Sequence, residues 1–224
     1  MGRVGRRRRN RVVDELPVVA GGWPCVLADP PWSFRDRGSR IAPDQRRKRL
    51  GRKGYRTLDL EQLLAMPVRE VAAPDALLFL WTTSAHLLDG SATAVARAWG
   101  FEPKTTIAWV KVRPAKGRFL AAEVRWTGRV FAPRLQIGMG HYVRGAHELL
   151  VVARRGRARV LDRGVPSVIF APRGAHSVKP VEAYELVERL AGGPRLELFA
   201  RGDRAGWTAW GDQARRATTC ASAA

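Results

Sequence analysis

Short apolar runs recur along the chain, and their spacing constrains its fold more than any other feature. The run at 76–81 is continuously apolar, which is typical of a strand covered on both faces. Amphipathic stretches between the runs predict a short helix from Asp59, a helix from Ser84 that ends at Gly100, and a helix over 180–190. This alternation predicts an α/β fold, with a mostly parallel sheet and helices on both faces. The predicted strands lie at 24–28, 76–81, 105–110, 148–153, 167–170 and 195–200.

The length of the chain indicates one folded domain. It has 224 residues, of which 46% are hydrophobic, enough to build one sizeable core and too many for a disordered chain. Residues 1–11 hold six arginines and are expected to form a disordered basic arm. We therefore expect a single domain over 12–213, followed by a flexible tail at 214–224.

The charge is strongly positive, with 40 Lys and Arg against 20 Asp and Glu. A polyanion is the expected partner, because neutralised phosphates release condensed counterions. A composition biased towards arginine throughout the chain is the alternative. However, the basic residues are clustered: the segment 35–53 has nine of them against two acids. The clustering favours a nucleic-acid-binding surface.

Several classes of protein do not fit the sequence. The two cysteines cannot form a disulfide framework or a cysteine-rich zinc site, and the four histidines lack metal-ligand spacing. No apolar run approaches the roughly 20 residues that span a bilayer. We expect a cytoplasmic protein, without a metal or a membrane partner.

The apolar run 24–28 ends at Asp29, Pro30, Pro31 and Trp32. This tetrapeptide suits the methylation of an aromatic amine, whose lone pair is delocalised into its ring. The Asp29 carboxylate and the Pro30 carbonyl can each accept one amine hydrogen, and the prolines stiffen the loop. Trp32 offers a flat face for an unstacked base. The alternative is a simple turn at a strand end with Trp32 in the core.

Further blocks, in the same order along the chain, accompany this tetrapeptide from about Pro24 to Gln213. Together they resemble the MT-A70 family of N6-adenine methyltransferases. The blocks lie at 29–32, 55–57, 77–83, 99–101, 104–111, 147–150, 176–180, 197–201 and 206–211.

The resemblance implies a Rossmann-like methyltransferase fold in permuted order, with the catalytic loop before the main cofactor strand. It also implies S-adenosylmethionine as methyl donor. Lys179 resembles the family lysine that holds the methionine carboxylate. Asp212 stands where many relatives have asparagine, so it can accept from hydroxyls but cannot donate. The predicted cofactor-binding residues are Asp29, Lys179, Glu197, Phe199, Arg201, Asp212 and Gln213; surface roles are the alternatives for Lys179 and Glu197.

Tyr55 resembles the family tyrosine that closes over the bound base or cofactor, and a structural role is its alternative. The other predicted substrate-binding residues lie in the two long basic connections at 35–56 and 111–141, or directly after the second. They are Arg46, Arg47, Lys48, Arg49, Arg52, Lys53, His141 and Tyr142. His147 and Glu148 open a strand, either as a hydrogen-bonding pair or as a substrate contact, and a structural role is expected for His86.

The resemblance implies transfer of a methyl group to N6 of adenine in nucleic acid. DNA is favoured over RNA, because the compact chain resembles bacterial or phage members more than the eukaryotic heterodimeric ones. The alternatives are an RNA adenine methyltransferase, a non-catalytic nucleic-acid-binding subunit, and transfer to N4 of cytosine. The target sequence and the oligomeric state cannot be read from the sequence.

Overall fold

The computed structural model describes residues 16–33, 57–113, 135–138, 142–174, 178–211 and 214. Within them, seven strands form one sheet and five helices pack on it. The strands are β1 Trp23–Ala28, β2 Ala72–Thr82, β3 Glu102–Val112, β4 His147–Arg155, β5 Val168–Pro172, β6 Arg195–Leu198 and β7 Thr208–Trp210. The helices are α1 Leu60–Leu64, α2 Val68–Val71, α3 Ser84–Leu88, α4 Ser91–Ala98 and α5 Val181–Leu190.

The sheet has the order β5-β3-β4-β2-β1-β6-β7. Strand β4 is antiparallel to both β2 and β3, whereas the other four pairings are parallel. Six strands therefore point in one direction, and their carboxyl ends meet at the edge where β4 begins. The mostly parallel α/β fold predicted from the apolar runs is confirmed.

Two apolar layers cover the sheet, one on each face. On one face, alternate residues of the central strands pack against α1, α2 and α4, through Leu63, Val68 and Val95. On the other face, the intervening residues pack against α5 through Leu186 and Val187. Burial on both faces explains why the central strands are continuously apolar rather than alternating.

Local capping patterns were predicted correctly in one place and incorrectly in another. Asp59 caps α1 as expected, and Gln62 returns the hydrogen bond to complete a capping box. The single helix predicted from Ser84 to Trp99 is wrong. Thr83 is the N-cap, and the chain breaks into α3 and α4 at Gly90, which has φ +81°. Glycine readily adopts this left-handed conformation, which a helix interior cannot contain.

The sheet also contains a strand that the apolar pattern did not predict. Strand β7 has three residues and pairs with β6 at the sheet edge. It is too short and too polar to give a periodic signal. The predicted arm at 1–11 and most of both basic connections lie outside the described residues.

The turn before β1 generates a prediction about stability. Gly21 and Gly22 both have positive φ, +77° and +80°. A Cβ on Gly22 would lie 2.7 Å from the backbone nitrogen of Ala73, whereas a Cβ on Gly21 would meet no atom of the described residues within 4 Å. Gly21→Ala should cost about 1 kcal/mol for the left-handed backbone. Gly22→Ala should cost roughly 1–3 kcal/mol more, because it also forces two backbones apart.

Urea denaturation of the two variants measures this difference, since they share the backbone strain and differ in the collision. Equal free energies of unfolding would contradict this prediction, because they would show that the structure accommodates a Cβ at Gly22 without additional cost.

Candidate functional site

A concave pocket opens at the carboxyl edge of the sheet, where β1 and β6 end side by side. It holds about 340 Å³ of empty space, including its open mouth. The chain leaves β1 towards β2 on one side and returns to β6 on the other, and ligands of open α/β sheets bind at such switch points. The lining residues are Leu27, Asp29, Trp81, Val178, Lys179, Tyr184, Glu197, Phe199 and Arg201. Five of them are among the residues predicted from sequence: Asp29, Lys179, Glu197, Phe199 and Arg201.

The Asp29 tetrapeptide forms a tight turn directly after β1. The amide of Trp32 donates to the Pro30 carbonyl at 2.8 Å, and the amide of Leu58 donates to the Pro31 carbonyl at 3.0 Å. The Pro30 carbonyl was predicted to accept one hydrogen of a substrate amine. In the structure one of them already serves the turn, which leaves the other for a ligand.

Trp32 lies in the core rather than on an open surface. Its indole Nε1 donates to the carbonyl of Trp81 at 2.9 Å, and its ring stacks on His86 with centroids 4.9 Å apart. Only 8% of the residue is exposed. The expectation that Trp32 offers a free face to a base is therefore corrected: the indole holds the turn against β2, and His86 has the structural role expected of it.

A network of alternating charges extends from Asp29 along the sheet edge. The ammonium of Lys179 lies 2.7 Å from Asp29 Oδ1 and 3.2 Å from Glu148 Oε2. Glu148 Oε1 in turn accepts from Lys111 at 2.6 Å. The four groups come from the ends of β1, β3 and β4 and from the segment before α5. Two carboxylates and two ammonium groups thus share one partly buried site.

Within this charge network, Glu148 and Lys179 are each held in their ionised forms by the opposite charges around them. Burial opposes ionisation of Glu148, but Lys179 and Lys111 outweigh it and hold the pKa of this carboxyl below its ordinary value. Burial also disfavours the charged form of Lys179, yet Asp29 and Glu148 raise the pKa of this ammonium above its ordinary value. Lys179 is therefore a fixed cation, and it lies 5.2 Å from the ring centroid of Trp81.

A second polar pair forms the opposite wall of the pocket. The hydroxyl of Tyr184 donates to Glu197 Oε1 at 2.7 Å. Burial raises the pKa of Glu197, and burial together with the neighbouring Glu197 carboxylate raises the pKa of the Tyr184 phenol. Glu197 is a buried acceptor, so the alternative of a surface salt bridge is wrong.

Phe199 and Arg201 follow Glu197 into the loop after β6. Phe199 has φ +64°, in the left-handed region, and its ring meets Trp210 edge-on at 5.8 Å. Strain at such a residue occurs where the surrounding structure imposes it, often at ligand sites. A Cβ on Gly211 would lie 2.8 Å from Ala200, so the chain after β7 packs closely against this loop.

Several predicted site residues have no described position. They are Tyr55, Arg46, Arg47, Lys48, Arg49, Arg52, Lys53, His141, Asp212 and Gln213, which all lie outside the described residues. Tyr142 is described, and it is fully exposed in the segment before β4. Within the described ranges, no group of three or more His, Cys, Asp or Glu side chains could hold a metal ion. Nor is any helix there long and apolar enough to cross a membrane.

Three pocket or network residues were missed or left undecided by the sequence. Lys111 appeared within a basic connection and at the end of the block 104–111, and neither Lys111 nor Tyr184 had an assigned role. Glu148 was left between a sheet-end hydrogen bond and a substrate contact. The only available signal was position: Lys111 ends one apolar strand and Glu148 begins the next. His147, next to Glu148, contacts the Ser84 hydroxyl at 3.2 Å.

Comparison with known proteins identifies relatives of the whole described core. The profile of the MT-A70 family matches residues 23–213. The chain is 27% identical to the Type II methyltransferase M.MunI of Mycoplasma sp, over 92% of this chain and 86% of that protein. It is 30% identical to the N(6)-adenosine-methyltransferase MT-A70-like protein of Drosophila melanogaster, over 82% of this chain. It is 28% identical to the N6-methyladenosine RNA methyltransferase MTA1 of Cryphonectria parasitica, over 92% of this chain.

The share of each relative that is matched differs widely. The chain spans 25% of the Drosophila protein and 54% of the Cryphonectria protein, so these relatives are considerably longer.

The charge network predicts how stability depends on pH. Glu148→Gln should lower the free energy of unfolding near pH 7 by about 1–2 kcal/mol, because it removes an ionised acceptor shared by two lysines. The pKa of Glu148 lies below its ordinary value of 4.5 in the folded protein. Its contribution is therefore present above pH 4.5 and is lost as pH falls through the lowered pKa.

Chemical denaturation at several pH values measures the gap between the wild type and Glu148→Gln, which should narrow in acid. Glu102→Gln is the matched control, since Glu102 pairs with Lys104 on the solvent-exposed surface and should contribute little. A gap that stays constant down to pH 3 would contradict the assigned charge state of Glu148.

Proposed function

The chain belongs to the MT-A70 family of methyltransferases, and on that premise we propose that it methylates N6 of adenine in nucleic acid, with DNA as the favoured substrate. The observation that carries this proposal is the position of Asp29. Its carboxylate lines the pocket at the carboxyl end of β1, with one oxygen held by Lys179 at 2.7 Å. A carboxylate accepts several hydrogen bonds, so Asp29 retains capacity for an amine hydrogen.

The proposed chemistry uses Asp29 and Pro30 as paired acceptors. Each accepts one N6 hydrogen, which draws the amine nitrogen towards tetrahedral geometry and turns its lone pair towards the methyl donor. S-adenosylmethionine, when bound, would supply the methyl group to this nitrogen and leave as S-adenosylhomocysteine. The Asp29 carboxylate, which accepts one N6 hydrogen, would take up the proton that the nitrogen loses. Holding the two reactants in line supplies much of the rate.

The side chains that line the pocket support S-adenosylmethionine as its ligand, which when bound would supply the methyl group. Lys179 is a cation suited to a carboxylate, Glu197 is an acceptor for hydroxyl or ammonium groups, and Phe199 is an aromatic wall. The buried Nε1 of Trp81 has no hydrogen-bond partner among the described residues, and Trp81 lines this pocket. A buried donor without a partner is costly, which supports a ligand with acceptor groups in this pocket. Arg201, which lines the pocket, is also proposed to bind the cofactor. Asp212 and Gln213 are proposed for the same role from the sequence alone.

The charge of Lys179 bears on how the cofactor is held. Its ammonium already contacts two carboxylates, and an ammonium has three donors. One further contact is therefore available for a ligand carboxylate without breaking the pairs to Asp29 and Glu148. The proposed role of Lys179 is to hold Asp29 in position and to bind the cofactor through the remaining donor.

The proposed nucleic-acid substrate follows from the formal charge of +20 and its clustering. DNA is favoured because the chain spans 86% of the Type II methyltransferase of Mycoplasma sp but smaller fractions of the adenosine methyltransferases. RNA is the second candidate, since the Cryphonectria relative is an RNA methyltransferase by name. The proposed compartment is the cytoplasm of a bacterial or phage-infected cell.

Substitution of Asp29 tests the proposed reaction. With labelled S-adenosylmethionine and nucleic acid, Asp29→Asn and Asp29→Ala should each lower the rate of methyl transfer by at least ~10²-fold, in the range for loss of a positioned polar group. Asp162→Asn is the control, because Asp162 pairs with Arg189 at the far end of α5. Asp29 variants that keep the wild-type rate would exclude the proposed mechanism.

The choice of substrate is tested separately. Duplex DNA, single-stranded DNA and RNA of matched composition are incubated with the protein and S-adenosylmethionine, digested, and analysed by nucleoside mass spectrometry. We expect N6-methyldeoxyadenosine from the DNA samples. N6-methyladenosine from RNA alone would replace DNA by RNA as the substrate, and N4-methylcytosine would refute the assignment to adenine.

A further inference from the structure

Tyr184 connects α5 to the acceptor wall of the pocket. It lies in the first half of α5, and its hydroxyl donates to Glu197 Oε1 at 2.7 Å. Glu197 is 7% exposed and sits on the adjacent strand β6. Both residues line the pocket. The phenol hydroxyl therefore occupies one oxygen of a buried carboxylate that borders the space where a ligand would lie.

The ring of Tyr184 is fixed from two sides. The guanidinium of Arg204 lies 3.7 Å from the ring centroid, and the Trp207 ring meets it edge-on at 5.7 Å with an interplanar angle of 89°. Trp207 is itself held, because its Nε1 donates to Glu188 Oε1 at 2.7 Å. A ring held in this way leaves its hydroxyl little freedom of direction. The hydrogen bond to Glu197 is thus set in advance by packing.

The consequence for Glu197 is a defined orientation. A carboxylate that is free to rotate presents either oxygen in many directions, and a ligand must then order it on binding. With Oε1 occupied by Tyr184, the plane of the carboxylate is set and Oε2 is left for a donor in the pocket.

We propose that Tyr184 is a positioning residue for cofactor binding, which fixes Glu197 so that its second oxygen accepts from a hydroxyl or ammonium group of S-adenosylmethionine. This inference rests on the proposed function, in that the pocket is taken as the cofactor site. Tyr184 does not touch the reacting methyl group; it acts through Glu197.

The same geometry gives the interaction a pH signature. The groups that face Glu197 are Tyr184 from α5, Arg204 from the loop after β6, Asp29 from the end of β1, and Lys179 from the segment before α5. Burial raises the pKa of Glu197, and the hydrogen bond from Tyr184 opposes this rise. Removing the hydroxyl should raise the pKa of Glu197 further. Cofactor binding that needs the ionised carboxylate would then fail at a higher pH than in the wild type.

Tyr184→Phe tests the inference, because it deletes the hydroxyl and keeps the ring under Arg204. Calorimetry with S-adenosylmethionine and with S-adenosylhomocysteine should show binding weakened by about 5–50-fold, less than the loss of a direct hydrogen bond to a charged group, because Tyr184 acts through Glu197. KM for S-adenosylmethionine should rise by a similar factor, with kcat changed by less than about twofold. The acidic limb of the binding profile should move to higher pH.

Thr93→Val is the matched control. It removes a half-buried hydroxyl that donates to Gly90 at 2.9 Å, on α4 across the sheet from Tyr184. A general loss of packing would affect both variants, whereas loss of positioning would affect only Tyr184→Phe.

A double-mutant cycle with Glu197→Ala, which removes the acceptor of the Tyr184 hydrogen bond, shows whether Tyr184 acts through Glu197. If it does, Tyr184→Phe should weaken binding much less in the Glu197→Ala background than in the wild type. Additive losses would overturn the inference, and so would a Tyr184→Phe variant with wild-type affinity and pH profile. Either result leaves the proposed function intact if the wild type binds the cofactor. Failure of the wild type to bind S-adenosylmethionine or S-adenosylhomocysteine would instead refute the cofactor site itself.

Discussion

Lys179 lies between the carboxylates of Asp29 and Glu148, and this buried ammonium joins three separate parts of the sheet edge. Asp29 follows β1, Glu148 lies in β4, and Lys179 precedes α5. Without the cation, two carboxylates would face each other in a partly buried site, which is strongly unfavourable. The Lys179 ammonium therefore has two effects on Asp29. It positions the carboxylate, and its charge makes burial of that carboxylate possible.

The antiparallel strand β4 gives this network its composition. In an all-parallel sheet, only carboxyl ends of strands would reach this edge. Because β4 runs against β2 and β3, its first residues lie beside the last residues of its neighbours. Glu148 consequently reaches both Lys111, near the end of β3, and Lys179. The direction of one strand therefore brings Glu148 to the charge network beside the pocket, where its carboxylate helps to raise the pKa of Lys179.

The two walls of the pocket differ in how they are held. The Asp29 wall depends on ion pairs, which stabilise the ionised forms of Glu148 and Lys179. The Glu197 wall depends on packing, since Tyr184 is set by Arg204 and Trp207 before it contacts the carboxylate. In the proposed reaction the first wall accepts the amine and the second holds the donor molecule. Rigid support on both sides is what alignment of two reactants requires.

The sequence alone determined most of the elements and the principal chemical group. Continuous apolar runs specified buried strands, Asp59 and Gln62 specified a helix start, and the tetrapeptide at the end of β1 placed Asp29 at a strand terminus, where sites of α/β proteins form. These features are local, and the backbone responds to them wherever they occur. The tertiary structure decided what is not local: the direction of β4, the burial of Trp32 on His86, and the meeting of Asp29 with Lys179 across 150 positions of sequence. Such contacts depend on which strands pair and in what register, and a local pattern carries no information about its distant partner.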